Sequence, residues 1–279
     1  MPSALSLLMF AVSVFVLWAI TLWHPRHRVA CLSQIVVLAL LALVADSGAR
    51  IATVATLAVV STAFVLLGRH EKRLTPGACA ATWIVTMIVS VRYPPSWTLA
   101  IVFLLGWAHF AGLLGQWDSP RHNESKPRDT TDLYPLIAII LLGAALIDAG
   151  PTVVALAVFG TLSFIVNDVL ASELGPSLPG SARMLPRTAA VPHGTPGAMS
   201  DGGTILGMVG SACAGLCVAA LLHDVSAGGL VAFAGAVASF TDSALSRTRV
   251  LSAVPRGHEL VNSVGCLIAI VVSVLPFAR

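Results

Sequence analysis

An acidic residue inside an apolar stretch is expensive unless it meets a partner, a metal or water. The stretch NDVLASELG puts Asn167, Asp168 and Glu173 in that position. On a helix Asp168 shares a face with Ala171, Ser172 and Gly175, small residues that let a backbone or a substrate approach closely. Glu173 leaves a regular helix about 140° from Asp168, so the two meet at one ion only where the helix ends or bulges between them. A second carboxylate, Asp242, lies in a small polar stripe with Ala238, Ser239, Ser243 and Ser246, and Asn262 opens the next apolar run. Oxygen ligands of this kind suit Mg²⁺, which takes one or two carboxylates together with phosphate oxygens and retained waters.

The complementary charge sits between these two acids in the chain. Arg183 and Arg187 can pair with phosphate oxygens, and the series Gly194, Thr195, Gly197 can present backbone N–H groups just before the next helix. Acids for a metal and bases for phosphates on one membrane face describe a phosphoryl-transfer site. Each part also has an ordinary explanation: an Asp at a helix end caps it or is solvated, loop arginines follow from topology, and a glycine run serves tight packing. Ser200 and Asp201 read as N-cap residues of the helix that follows.

The elements that must position these groups are membrane helices. Of 279 residues, 57% are hydrophobic and 10% charged, and the mean hydropathy is +0.89, outside the range of an ordinary soluble domain. A span needs roughly 20 apolar residues. Runs bounded by charge, Pro or Gly give ten: 4–23, 29–46, 51–68, 76–92, 97–115, 133–149, 152–172, 203–222, 228–246 and 260–277. Turn chemistry separates them at Pro25, Pro94 and Pro95, Gly150 and Pro151, and Ser226 through Gly229. The expectation is an all-α polytopic bundle forming a single integral membrane domain, residues 1–279. The first run lacks the basic flank and small-residue cleavage site of a secretory signal and is read as a span.

Loops rich in Lys and Arg stay in the cytoplasm. Thirteen of the 16 Lys and Arg residues fall in one alternating set of loops, and Arg50, Arg92 and Arg279 fall in the other. That split supports ten spans in a cell membrane with both termini outside and the basic loops cytoplasmic, the long loop 173–202 among them. Its prolines 176, 179, 186, 192 and 196 forbid a regular helix there. The net charge of +3, dispersed over short loops, argues against a nucleic-acid partner. Five cysteines, Cys31, Cys79, Cys213, Cys217 and Cys266, lie in apolar stretches without metal-ligand spacing and read as buried small residues.

These residues carry a resemblance. Asp168, Ala171, Ser172, Glu173, Leu174 and Gly175, then Arg183, then Val191, Pro192, Gly194, Thr195 and Gly197, then Asp242 and Ser243 resemble, in order and spacing, the membrane family of plant phytyl-phosphate kinase and animal transmembrane protein nineteen, known as domain of unknown function ninety-two. Weaker similarity extends the match to roughly residues 74–277, leaving 1–73 less family-like. Here Pro196 stands where the family has Asn, Ala198 where it has Gly, and Pro186-Arg187 interrupts a Leu-Ile-Thr-Thr stretch. Pro196 removes a side-chain amide and a backbone donor from the loop.

The resemblance implies a Mg²⁺-dependent kinase that phosphorylates a prenyl monophosphate such as phytyl phosphate, with CTP or ATP as donor; the expected nucleotide site is at the cytoplasmic surface and the expected place of the lipid tail is between the seventh and tenth spans. By carry-over Asp168, Glu173 and Asp242 hold metal. Asn167, Ser172, Arg183, Arg187, Gly194, Thr195, Gly197, Ser243 and Asn262 serve phosphate or substrate. The alternatives are a polyprenol kinase or CTP-dependent lipid cytidylyltransferase, and, from other classes, an ion-coupled transporter or a non-catalytic membrane protein.

Overall fold

In the lipid interior a backbone N–H or C=O has no water to bind, so an apolar chain satisfies those groups within helices. The computed structural model describes residues 94–118, 150–184, 190–193, 195, 197–247 and 257–277, and these are mostly helical. Helix α1 is Pro95–Asp118, α2 Gly150–Glu173, α3 Asp201–Leu222, α4 Val225–Ser246 and α5 Gly257–Val274. They fall on the expected spans 97–115, 152–172, 203–222, 228–246 and 260–277. The expected spans 4–23, 29–46, 51–68, 76–92 and 133–149 lie outside the described residues. Among the described residues three stretches are long and apolar enough to cross a membrane, Gly150–Ser177, Asp201–Leu222 and Val225–Ser246. The chain divides into two compact units, Met1–Val102 with Lys126–Leu133 and Phe103–Ser125 with Tyr134–Arg279, and the second carries α2 to α5.

Helix α2 is the centre of that unit. Its most apolar stretch is 83% buried, against 33% for that of α3 and 44% for that of α4, and it packs on α3, α4 and α5. Hydrocarbon gives no hydrophobic drive for helices to associate, so close approach at small residues does the work. Gly203 sits on Ala171 and Gly175, Gly207 on Asn167 and Gly210 on Val166, so α3 runs antiparallel to α2. Gly160 meets Ala269 and Ser273, and Gly265 meets Phe164, which makes α5 antiparallel to α2 as well. Gly235 of α4 is pressed against Ser163. The C-terminal ends of α2 and α4 and the N-terminal ends of α3 and α5 therefore share one end of the unit.

The turn between α3 and α4 differs from expectation. It falls at His223 and Asp224, not at Ser226 through Gly229. His223 adopts a left-handed conformation (φ 53°), and the Asp224 carboxylate accepts from the N–H groups of Ser226 (2.8 Å) and Ala227 (3.1 Å), which starts α4 at Val225. Gly228 is instead used in a close crossing with Gly215.

The other departure is in the loop after α2. A 3-10 turn, Gly175–Ser177, is followed by a small antiparallel sheet of β1 (Ala182–Met184), β2 (Ala190–Val191) and β3 (Ala198–Ser200) in the order β2-β1-β3. Ala182 pairs with Val191 and Ser200, and Arg183 with Ala190 and Met199. Prolines exclude helix from this segment but leave short extended pieces free to pair.

Candidate functional site

At the loop end of α2, Asn167 and Asp168 point to different neighbours. Asn167 is 4% exposed and its Nδ2 donates to Ser211 Oγ on α3 at 2.8 Å. That side chain is a strut between two helices, with Gly207 making room for its Oδ1. Asp168 is half-buried, and its charge reaches both Asp242 on α4 and Cys266 on α5.

Asp242 is 7% exposed, and its Oδ1 is buried without a hydrogen-bond partner. Asn262, at the start of α5, also has a buried Oδ1 without a partner. Three oxygen-bearing side chains from three helices thus sit at the same end of the bundle, and they include two carboxylates that repel one another. A medium of low dielectric makes that repulsion costly unless a proton or a metal cation offsets it. Two carboxylates and an amide, two of them with orphaned buried oxygens, are the oxygen chemistry that a hard cation such as Mg²⁺ takes.

Glu173 is not part of this group. Helix α2 runs unbroken through Glu173, so its side chain leaves the helix about 140° from that of Asp168. Among the described residues no three His, Cys, Asp or Glu side chains gather as a metal-binding set. Ser172 is exposed, and its hydroxyl donates to Val169 O of its own helix at 3.3 Å.

The loop reaches the site at one point. Gly197 has φ 75°, and a Cβ there would lie 2.6 Å from Ser243 O, 3.0 Å from Arg247 N and 3.1 Å from Arg247 Cβ. Only a residue without a Cβ sits this close in this conformation. The loop is docked on the last turn of α4, one residue beyond Asp242. Upstream, Thr195 closes a tight turn: its N–H and Oγ1 both donate to Pro192 O (3.2 and 2.7 Å), and its own carbonyl accepts from Ala198 N at 3.0 Å. Arg183 is exposed on the central strand. Arg187, Gly194 and Pro196 lie outside the described residues. His193 was not singled out by the sequence, yet its Nε2 lies 3.1 Å from Gly180 O and ties the turn to the start of the sheet. A His-Gly pair in a loop gives no signal of that contact.

Ser200 then caps α3 as expected, accepting from Gly203 N at 3.1 Å in an extended conformation, with Asp201 in the first turn. Residues 59–252, more than two-thirds of the chain, match the model of the integral membrane protein DUF92 family. The chain belongs to the DUF92 family. In this DUF92 protein the matched stretch starts ahead of residue 74 and takes in Asp168, the loop, Asp242 and Ser243, stopping short of Asn262. No curated protein and no solved structure matches the chain.

Proposed function

We propose that this DUF92 protein is a Mg²⁺-dependent phosphotransferase that moves the terminal phosphoryl group of CTP or ATP onto a membrane prenyl monophosphate such as phytyl phosphate. The observation that carries the reading is the orphaned, buried Oδ1 of Asp242 within electrostatic reach of Asp168. Buried carboxylates left in this state take up a proton or a bound cation, and in this reading the cation, at the membrane surface, draws a phosphate-bearing ligand.

In this reading an oxygen of the acceptor phosphate attacks the terminal phosphorus of the donor. One P–O bond forms, the bond to the bridging oxygen breaks, and the nucleoside diphosphate leaves with that electron pair. Asp168, Asp242 and Asn262 would hold Mg²⁺, which when bound neutralises phosphate charge. Arg183 and Arg187 supply positive charge from the loop. Gly197, seated on Ser243, holds the loop beside the acids so that donor and acceptor are positioned together. Positioning and charge neutralisation are most of what phosphoryl transfer asks of a protein. The proposed setting is a ten-span protein of the cell membrane with both termini outside and this site on the cytoplasmic face.

The test is binding of CTP and ATP to purified protein in lipid nanodiscs, titrated with and without Mg²⁺ and in competition with phytyl phosphate. The reading expects nucleotide binding that requires Mg²⁺ and is weakened in Asp242→Asn. Binding of neither nucleotide by folded protein, at any Mg²⁺ concentration, overturns it.

A further inference from the structure

One helical turn below each polar group lies an apolar residue. Phe164 lies below Asp168, Ala238 below Asp242 and Cys266 below Asn262, and these three join Ala157 and Ala269 in one buried cluster. The Phe164 ring is 2% exposed, and its tip rests on Gly265, where a Cβ would come 2.9 Å from Cε1 and 3.0 Å from Cε2. Deeper in the unit the contact continues, with Gly160 closed by Ser273 and by Ala269 O, and with Ser273 Oγ donating to Leu156 O at 3.0 Å. Close packing of this kind opposes the passage of a chain or of water.

From this arrangement we infer that Phe164, seated on Gly265, seals the floor of the Asp168–Asp242–Asn262 site against the interior of the bundle. A ligand that reaches Asp242 enters and leaves at the loop end and does not pass between α2, α4 and α5. The hydrocarbon tail of a lipid acceptor then stays in the surrounding bilayer, in place of the position between the seventh and tenth spans that the sequence suggests, and is not measured by a tunnel between these helices. The placement of the tail rests on the phosphotransferase reading, whereas the seal does not.

Cys266 is a reporter built into the floor. With Cys31, Cys79, Cys213 and Cys217 changed to Ala, modification of Cys266 by a charged, water-soluble methanethiosulfonate is followed in nanodiscs beside Ser181→Cys at the exposed loop end. Cys266 is expected to react at least about tenfold more slowly than the Ser181→Cys control, and Phe164→Ala to raise its rate by about tenfold. Equal rates at Cys266 and Ser181→Cys with Phe164 in place overturn the seal. That comparison needs no floor variant and decides the point even where Phe164→Ala does not fold. Geranyl, geranylgeranyl and longer monophosphates test the tail. A protein-lined tunnel discriminates by about tenfold or more per methylene, so a flat series of kcat/KM is expected and a sharp length cut-off contradicts it. Protection of Cys266 in a protein that turns over no acceptor sinks the kinase reading and leaves the seal standing.

Discussion

The α2–α3 contact makes a prediction that can be worked from distances. In Gly207→Ala the new Cβ would overlap Asn167 Oδ1 and lie 2.9 Å from Asn167 Cγ and 3.1 Å from Asn167 O. The backbone oxygen cannot move aside without shifting α2. The side chain can turn away only by giving up its 2.8 Å bond to Ser211, which in a membrane is a loss of roughly 0.6–1.7 kcal/mol. Overpacking adds about 1–3 kcal/mol. Gly229→Ala is the control, because nothing lies within 4 Å of its Cβ position; both changes share the helix gain of about 0.5–1 kcal/mol. Reversible unfolding in mixed micelles should therefore separate the two variants by about 2–5 kcal/mol, with Gly207→Ala the less stable. Variants that unfold within about 0.5 kcal/mol of each other would refute the close contact and with it the role of Asn167 as a strut.

Three further outcomes are expected. Ser200→Ala removes the α3 cap and should cost about 1 kcal/mol, read as faster amide exchange at Gly203. Ser163 Oγ is fully buried without a hydrogen-bond partner, so Ser163→Ala should leave unfolding stability unchanged or raise it by about 1 kcal/mol; a clear loss would mean the hydroxyl has a partner. Gly197→Ala forces a Cβ into φ 75° against Ser243 O, and a displaced loop should lower turnover about 100-fold with little change in the unfolding midpoint.

What the sequence disclosed follows from how far each signal reaches along the chain. The five described helices were legible because long apolar runs admit little else in lipid, and Ser200 was legible because a cap and the helix it caps are adjacent. The family pattern pointed to Asp168 and Asp242 together, although 74 residues of chain separate them. The sheet was not legible, since strands of two and three residues are too short to show alternation. The place of Asn167 as a strut between helices required knowing which face of α2 meets Ser211. Glu173 illustrates the opposite case: helical arithmetic alone flagged that it joins Asp168 only at a break, and the structure has no break there. The turn at His223 and Asp224 was missed because Ser226 through Gly229 looks like a loop by composition, while Asp224 satisfies two N–H groups and lets the helix begin earlier.

The proposed role of the Asp168–Asp242 pair is phosphoryl transfer. Its most direct test is the passage of γ-phosphate label from CTP or ATP to phytyl and geranylgeranyl monophosphates, with Mg²⁺, by purified wild type, Asp168→Asn and Asp242→Asn. Labelled diphosphate is expected from wild type, with a fall of about 100-fold or more in each variant at unchanged stability. Folded wild type that labels no acceptor from either donor, or variants as active as wild type, would contradict it.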